Sequence, residues 1–258
     1  MIIKNGKSLV CAAGFIGSVT FASMVPASET GSYEGREKEN IAEVRSALGK
    51  VSKKLAGSVI SKTPVEGIYE AQLEGSGILY VTADGQYAFR GDLYKLDNTR
   101  AVNLTNVVRQ QKAISKLKDI NEKDVIAFNP TGETKRTMYV FTDVTCSYCR
   151  KLHDEVYALN AMGVSIKYLG FPRAGINSAT YNNMVSAWCS DDKQAAYSSL
   201  ISKKSIKGIH CDNPVASQLK LGQEMGVTGT PAIFLDDGTR IPGYKSASAL
   251  AKIMGLDT

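Results

Sequence analysis

The chain is 258 residues long, enough for two modest domains that bury cores without staples. Its 31 Lys and Arg against 25 Asp and Glu give a formal charge of +6. That is ordinary solubility charge and implies no nucleic-acid partner.

The first 27 residues read as a signal peptide rather than as part of a domain. Lys4 and Lys7 open the chain, Leu9 to Val25 is mostly apolar and small, and Val25-Pro26-Ala27 supplies the small residues a signal peptidase reads. Cleavage is expected near Ala27. A retained membrane span is the weaker reading, because the run is short and contains Gly14, Gly17, Ser18 and Thr20. A lipoprotein attachment at Cys11 is rejected, since only two apolar residues lie between Ser8 and Cys11. Loss of this segment removes Lys4 and Lys7 and leaves 29 bases against 25 acids, a net of +4. It also leaves four cysteines: Cys146, Cys149, Cys189 and Cys211. An even number in an exported chain points to an oxidising compartment and to disulfides. No later segment is apolar for long enough to span a membrane, so a soluble protein of the bacterial periplasm is expected.

From Arg36 to Leu55 the apolar positions Ile41, Val44, Leu48, Val51 and Leu55 recur at helical spacing among charged residues, and Gly57 ends the run. Packing of this amphipathic helix on a neighbouring sheet is expected. Three strands follow: Gly67 to Leu73, Gly77 to Thr82, and Gln86 to Tyr94 with a bulge at Gly91. Ala83-Asp84-Gly85 forms a hairpin turn. One helix on a small antiparallel meander gives a thin core and leaves a sheet edge unpaired, which a second copy of the domain could cover. Thr105 is read as a helix cap, and Asn106 to about Ile120 as a polar helix with the narrow apolar stripe Val107, Val108, Ile114 and Leu117. Such a helix suits a semi-rigid spacer.

The remainder alternates strand and helix. Val125 to Phe128 is a short strand, and Met138 to Val144 is a buried one. Thr145 stands in a capping position, and Cys149 to Asn160 is helical. Gly163 is a stop before the strand Val164 to Phe171. Ser178 to Met225 reads as helical, broken near Cys189, Gly208 and Asn213-Pro214. The strands Ala232 to Leu235 and Thr239 to Pro242 and a closing helix from Ser246 to Met254 complete an α/β layout.

The chemistry concentrates in Cys146-Ser147-Tyr148-Cys149, two cysteines where a strand ends and a helix begins. Free backbone N–H groups and the positive end of the helix dipole favour a thiolate there. Cys146 would be the exposed nucleophile and Cys149, a turn deeper, its resolving partner. Zinc is the rival reading, with His153, His210, Cys189 and Cys211 as further ligands. A strand-to-helix junction and widely separated cysteine pairs disfavour it, and no metal is expected. His153 reads as a surface residue of the helix, too distant to be a general base. Asp143 and Lys167 could move protons near Cys149, or be a strand-end acid and a solvated lysine. Trp188 reads as core packing. Gly229-Thr230-Pro231-Ala232 leads into an apolar strand, so Pro231 marks a tight turn of cis or trans geometry, or an ordinary strand-opening proline.

With the upstream C-x-x-C, this last element resembles the thioredoxin superfamily, where a cis-proline loop packs beside the dithiol. On that resemblance Pro231 is the cis-proline and Thr230 a substrate-contact residue. Phe141 to His153, Ala187-Trp188-Cys189, Gly226 to Ala232, Ile241-Pro-Gly-Tyr244, Gly77 to Val81 with Asp84-Gly85, and Val102 to Thr105 together resemble the bacterial periplasmic disulfide isomerases of the DsbC/DsbG family. The likeness runs from about Gly67 to Met254 and leans to the isomerase branch. Ser147 departs from it, since relatives typically carry Gly between the cysteines, where residues tune thiolate stability.

The resemblance implies an α+β N-terminal dimerisation domain at 28–104, a helix on a small antiparallel sheet that is cystatin-like. A linker helix at 105–122 joins it to an α/β thioredoxin-fold domain at 123–258, with a helical insertion at about 178–225. It implies a V-shaped homodimer with active sites facing an apolar cleft, catalytic Cys146 and Cys149, and substrate binding by Thr230, Pro231, Ser147 and Tyr148. It also implies a structural disulfide between Cys189 and Cys211; a second redox-active pair is the alternative. Closing that loop is worth ~3 kcal/mol in the chain-entropy model.

The activity implied is thiol–disulfide exchange. Cys146 attacks a mispaired disulfide of an exported protein, and a substrate thiol or Cys149 resolves the mixed disulfide. The only redox group needed is the Cys146–Cys149 dithiol/disulfide, with no cofactor, and a DsbD-type membrane thiol reductase is the implied electron donor. Two alternatives stand beside it: a reductase protecting single cysteines from sulfenic acid formation, and a non-catalytic holdase.

Overall fold

A computed structural model describes residues 28–75 and 77–256 of the chain, so the expected signal peptide and its cleavage point lie outside the described residues. The chain divides into the units Met1–Glu39 and Asn40–Thr258. The first contributes the beginning of helix α1 (Ser28–Val51) to the described residues.

Within the second unit, α1 presents Val44 and Leu48, spaced one turn apart, to a small core with Ile60, Tyr69, Ala71 and Val81. A Ser52 cap starts the single turn α2 (Lys53–Ala56), which ends at Gly57. The sheet holds β1 (Val59–Lys62), β2 (Ile68–Gln72), β3 (Ile78–Thr82) and β4 (Ala88–Phe89), antiparallel in that order. Gly85 turns the chain between β3 and β4 with φ +66°, as the Asp-Gly pair requires.

Two elements differ from the sequence reading. β1 was not anticipated, and the expected third strand divides: only Ala88–Phe89 joins the sheet, while β5 (Tyr94–Asp97) pairs with β6 (Arg100–Asn103) as a separate hairpin. Charged and aromatic residues at β4 and β5 remain exposed, so no face pattern distinguished the two.

Helix α3 (Leu104–Lys118) is capped by Asn103, whose side chain accepts from the Asn106 N–H, and not by Thr105. Thr105 is instead fully buried and bonded to the Tyr80 hydroxyl at 2.6 Å, and it accepts from the Leu93 N–H. Nor is α3 a solvated spacer. Ala113 and Leu117 are buried, Lys112 donates to the carbonyls of Leu73 and Gly75, and Lys116 pairs with Glu224.

The larger sheet runs β11 (Arg240–Pro242), β10 (Ala232–Leu235), β8 (Arg136–Thr142), β9 (Val164–Gly170), β7 (Ile126–Phe128). β8 and β9 are parallel, and the other pairs are antiparallel. Alternation along β8 sends Met138 and Val140 to one core and Phe141 to the other. The first core is covered by α4 (Ser147–Asp154), α5 (Val156–Ala161), α6 (Ala179–Trp188), α7 (Lys193–Ile201) and α9 (Ala247–Ile253). The second is covered by α3 and α8 (Val215–Glu224). The helical stretch expected from Ser178 to Met225 is interrupted between Ile201 and Val215, where Cys211 bonds Cys189 at the end of α6, with Cα atoms 5.7 Å apart. Trp188 is core, with its indole N–H on the Asp124 carbonyl. No helix among the described residues is long and apolar enough to cross a membrane.

Candidate active site

The site lies at the end of central strand β8. The chain leaves Thr142, turns through Asp143 to Thr145, and starts α4 at Ser147 with Cys146 as its N-cap. Thr145, the expected cap, precedes the helix; its N–H and hydroxyl both bond Asp143 Oδ1. Cys146 makes no side-chain capping hydrogen bond, so its sulfur is not tied up as the acceptor that closes the first turn of α4.

The β8–β10 register brings in the second component. Ala232 pairs with Phe141, so the residues before β10 fall beside the exit of β8. Thr230-Pro231 is cis, and the Thr230 carbonyl lies 3.2 Å from Cys146 Sγ. This loop covers the sulfur: Cys146 is 4% exposed and Cys149 is 0% exposed, so the expected exposed nucleophile is recessed. The buried Thr230 hydroxyl is bonded to no other group and lies beside the two sulfurs, so it is available to donate to a thiolate when one forms.

The two thiols differ in acidity. Burial opposes ionisation of Cys146, but the Thr230 side chain and hydrogen bonds from the Cys149 and Tyr148 main chain outweigh it, and the thiol lies below its ordinary range. Cys149, deeper, is pushed up to about 12, chiefly by burial, against weaker help from the Asp143 main chain, Thr142 and Thr230. One thiol is set to ionise and the other to keep its proton.

Of the candidate proton carriers, Asp143 borders Cys149 through its main chain but its carboxylate is engaged by other groups, and Lys167 is held in a separate ion pair. Asp143 is buried and committed: one oxygen holds Thr145, and the other accepts from the Arg173 N–H at 2.9 Å and Nε at 3.1 Å. Despite burial, these bonds hold its carboxyl below the usual range. Lys167 pairs with Glu122 and lies over the Tyr139 ring, away from Cys149. His153 is not a surface residue, because α4 turns that side toward α7. Its nitrogens contact the Tyr168 hydroxyl at 3.2 Å and Ser198 Oγ at 3.0 Å, and burial lowers its pKa. It joins an aromatic cluster of Phe128, Tyr168 and Tyr197 behind Cys149.

Ser147 and Tyr148 are both exposed beside Cys146. Sequence reasoning missed Arg173, Tyr197 and Glu155. Arg173 follows Phe171-Pro172 directly after β9, a position from which a side chain can return to the strand ends. The other two carry no local signal. No group of three or more His, Cys, Asp or Glu placed to hold a metal occurs among the described residues. A cavity of about 520 Å³ is lined by residues such as Lys112, Glu224 and Arg240 and includes neither cysteine.

A thioredoxin-like domain matches residues 122–256, and the disulfide bond isomerase N-terminal domain matches residues 35–106. The chain is 35% identical over 222 residues to the thiol:disulfide interchange protein DsbC of Escherichia coli K12, covering 86% of this chain and 90% of that one. This chain belongs to the DsbC family. The corresponding Salmonella typhimurium protein is 37% identical over 213 residues, covering 83% of this chain and 86% of that one. A disulfide interchange protein from Neisseria gonorrhoeae, known as a crystal structure, shares 27% identity at a TM-score of 0.48 over 53% of this chain and 96% of that one. With a DsbC-type N-terminal domain and a thioredoxin-like domain bearing two free thiols, the chain is a thiol:disulfide oxidoreductase.

Proposed function

We propose that this DsbC-family chain works in the periplasm as a protein disulfide isomerase and reductase for exported proteins with mispaired cysteines. Thiolate Cys146 attacks a substrate disulfide to form a mixed disulfide and expel a substrate thiolate. A substrate thiol then displaces Cys146, which is isomerisation, or Cys149 does, which leaves the substrate reduced and the enzyme as a disulfide. The carrying observation is geometric: Cys146 is the N-cap of α4 with its sulfur 3.2 Å from the carbonyl of the cis Thr230-Pro231 turn, while Cys149 is fully buried one turn deeper. This arrangement favours ionisation of the first thiol and opposes that of the second. A largely protonated Cys149 lets a substrate thiol compete for the mixed disulfide before reduction occurs.

Thr230, Pro231, Ser147 and Tyr148 take the substrate segment, and Cys189–Cys211 acts as a structural disulfide. Residues 28–104 serve as the dimerisation domain, with 105–122 as linker and 123–258 as catalytic domain. The exposed Tyr87, Phe89, Tyr94 and Leu96, at β4 and the β5–β6 hairpin, support pairing with a second copy there. The paired chains would hold unfolded substrates in the cleft, and a DsbD-type membrane thiol reductase would return the dithiol.

Refolding of scrambled ribonuclease tests the isomerase assignment. The wild type is expected to restore ribonuclease activity and Cys146→Ala to restore none. Full activity of Cys146→Ala overturns the assignment, and a wild type that only suppresses aggregation would make the chain a holdase.

A further inference from the structure

Tyr148, two residues after Cys146, is 56% exposed, and its ring stacks on that of Tyr244 with centroids 6.4 Å apart and planes at 25°. It stands in the first turn of α4, whose N-cap is Cys146, so the ring is presented beside the reacting sulfur. Tyr244 comes from the turn between β11 and α9 and is anchored in its own right. Its hydroxyl donates to Glu155 Oε1 at 2.7 Å, while Glu155 Oε2 accepts from the Ala247 N–H at 3.1 Å at the start of α9. Glu155 sits between α4 and α5 and thereby ties the active helix to α9.

An exposed aromatic ring usually moves freely, and ordering it costs side-chain entropy on binding. Here that ordering is supplied in advance by a second ring and a carboxylate. The surface offered beside the dithiol is aromatic, with the Lys151 ammonium 5.4 Å from the Tyr148 centroid. An aliphatic or aromatic side chain gains contact area on such a pair, whereas a small residue gains little. A cysteine bonded to Cys146 carries its sequence neighbours within reach of this surface, because Tyr148 adjoins the sulfur.

We propose that Tyr148 and Tyr244 form a specificity subsite for an aromatic or large aliphatic residue adjacent to the substrate cysteine, with Glu155 as the positioning residue that holds Tyr244 in place. This subsite presupposes thiol–disulfide exchange at Cys146 as proposed above. It adds no step to that chemistry. It selects which cysteine of an unfolded chain is engaged.

The test uses the reduced full-length protein and two synthetic disulfide peptides that differ only in the residue after the cysteine, Phe in one and Ala in the other. Glutathione disulfide serves as a reference oxidant. The wild type should react with the Phe peptide with a second-order rate constant about fivefold larger than with the Ala peptide, the scale of one aromatic contact. Tyr244→Ala and, independently, Tyr148→Ala should reduce that ratio to within about twofold, and Tyr244→Phe, which keeps the ring, should preserve most of it. An equal wild-type rate on both peptides, or an unchanged ratio in both alanine variants, overturns the subsite while leaving exchange intact. Failure of the wild type to react with either peptide or with glutathione disulfide would overturn the exchange reading and the subsite with it.

Discussion

Cys146 Sγ lies 3.2 Å from the main-chain oxygen of Thr230, a residue 84 positions further along the chain. The contact exists because β10 runs antiparallel to β8 with Ala232 opposite Phe141, so the cis Thr230-Pro231 turn meets the start of α4. A thiol can donate to that carbonyl, but a thiolate cannot. Ionisation therefore leans on the Thr230 hydroxyl and the N–H groups of Tyr148 and Cys149.

Replacing the hydroxyl exposes this dependence. Thr230→Val keeps the shape of the side chain and removes its one polar atom. The midpoint of Cys146 alkylation should move up by ~1 pH unit, the scale of one hydrogen bond to a charged group. An unmoved midpoint would leave the amides alone responsible.

Asp143 is expected to matter for folding rather than for proton transfer. Asp143→Asn loses the charge facing Arg173, and urea unfolding at neutral pH should show a loss of ~1–3 kcal/mol. Because its folded pKa is depressed, the stabilisation is present above the unfolded carboxyl value and is lost as pH falls through the folded one.

His153 predicts an acid-side weakness of the same sign, at higher pH and with burial rather than an ion pair as its cause. Burial lowers its pKa, so below the unfolded value near ~6.5 the unfolded chain binds more protons than the folded one, and stability falls as pH drops. Thermal melts between neutral pH and about pH 5.5 should show this loss in the wild type and a smaller one in His153→Gln. Equal pH slopes would contradict the burial account.

The docking of α3 can be tested at one glycine. Gly238 has φ +77°, and a Cβ there would lie 2.3 Å from the Gln110 carbonyl oxygen. Gly238→Ala should cost upwards of ~2 kcal/mol by strain and clash together. A near-neutral result would mean that α3 does not sit against the β10–β11 turn as described.

Removing the Cys189–Cys211 bridge, which spans a separation of 22 residues, should cost ~3 kcal/mol while leaving the dithiol chemistry in place. Denaturant midpoints of the paired Cys189→Ser, Cys211→Ser variant, together with its ribonuclease refolding rate, measure both halves of that statement.

The thioredoxin-like half was legible in the sequence because its strands are apolar runs bounded by Gly or Pro and its helices carry a regular apolar period. The smaller sheet was harder to read: β4 and β5 are exposed on all their residues, so nothing in their pattern separates a continuous strand from two. The dithiol and Thr230-Pro231 are local motifs and could be read directly. The groups around them were not legible for a physical reason. Arg173 reaches Asp143 from 30 positions away, and Tyr244 reaches Glu155 from 89, and such partners follow only from the register of the sheet. His153 was misplaced because α7, which buries it, packs across an insertion whose path the sequence does not indicate.

The most direct test of the central claim is the pH dependence of iodoacetamide alkylation in the reduced protein, with each modified cysteine identified by peptide mass. Cys146 should react with a midpoint below the ordinary thiol value of ~8.5, while Cys149 stays unmodified across the neutral range. A Cys146 midpoint at or above that value, or modification of Cys149 first, would contradict the account.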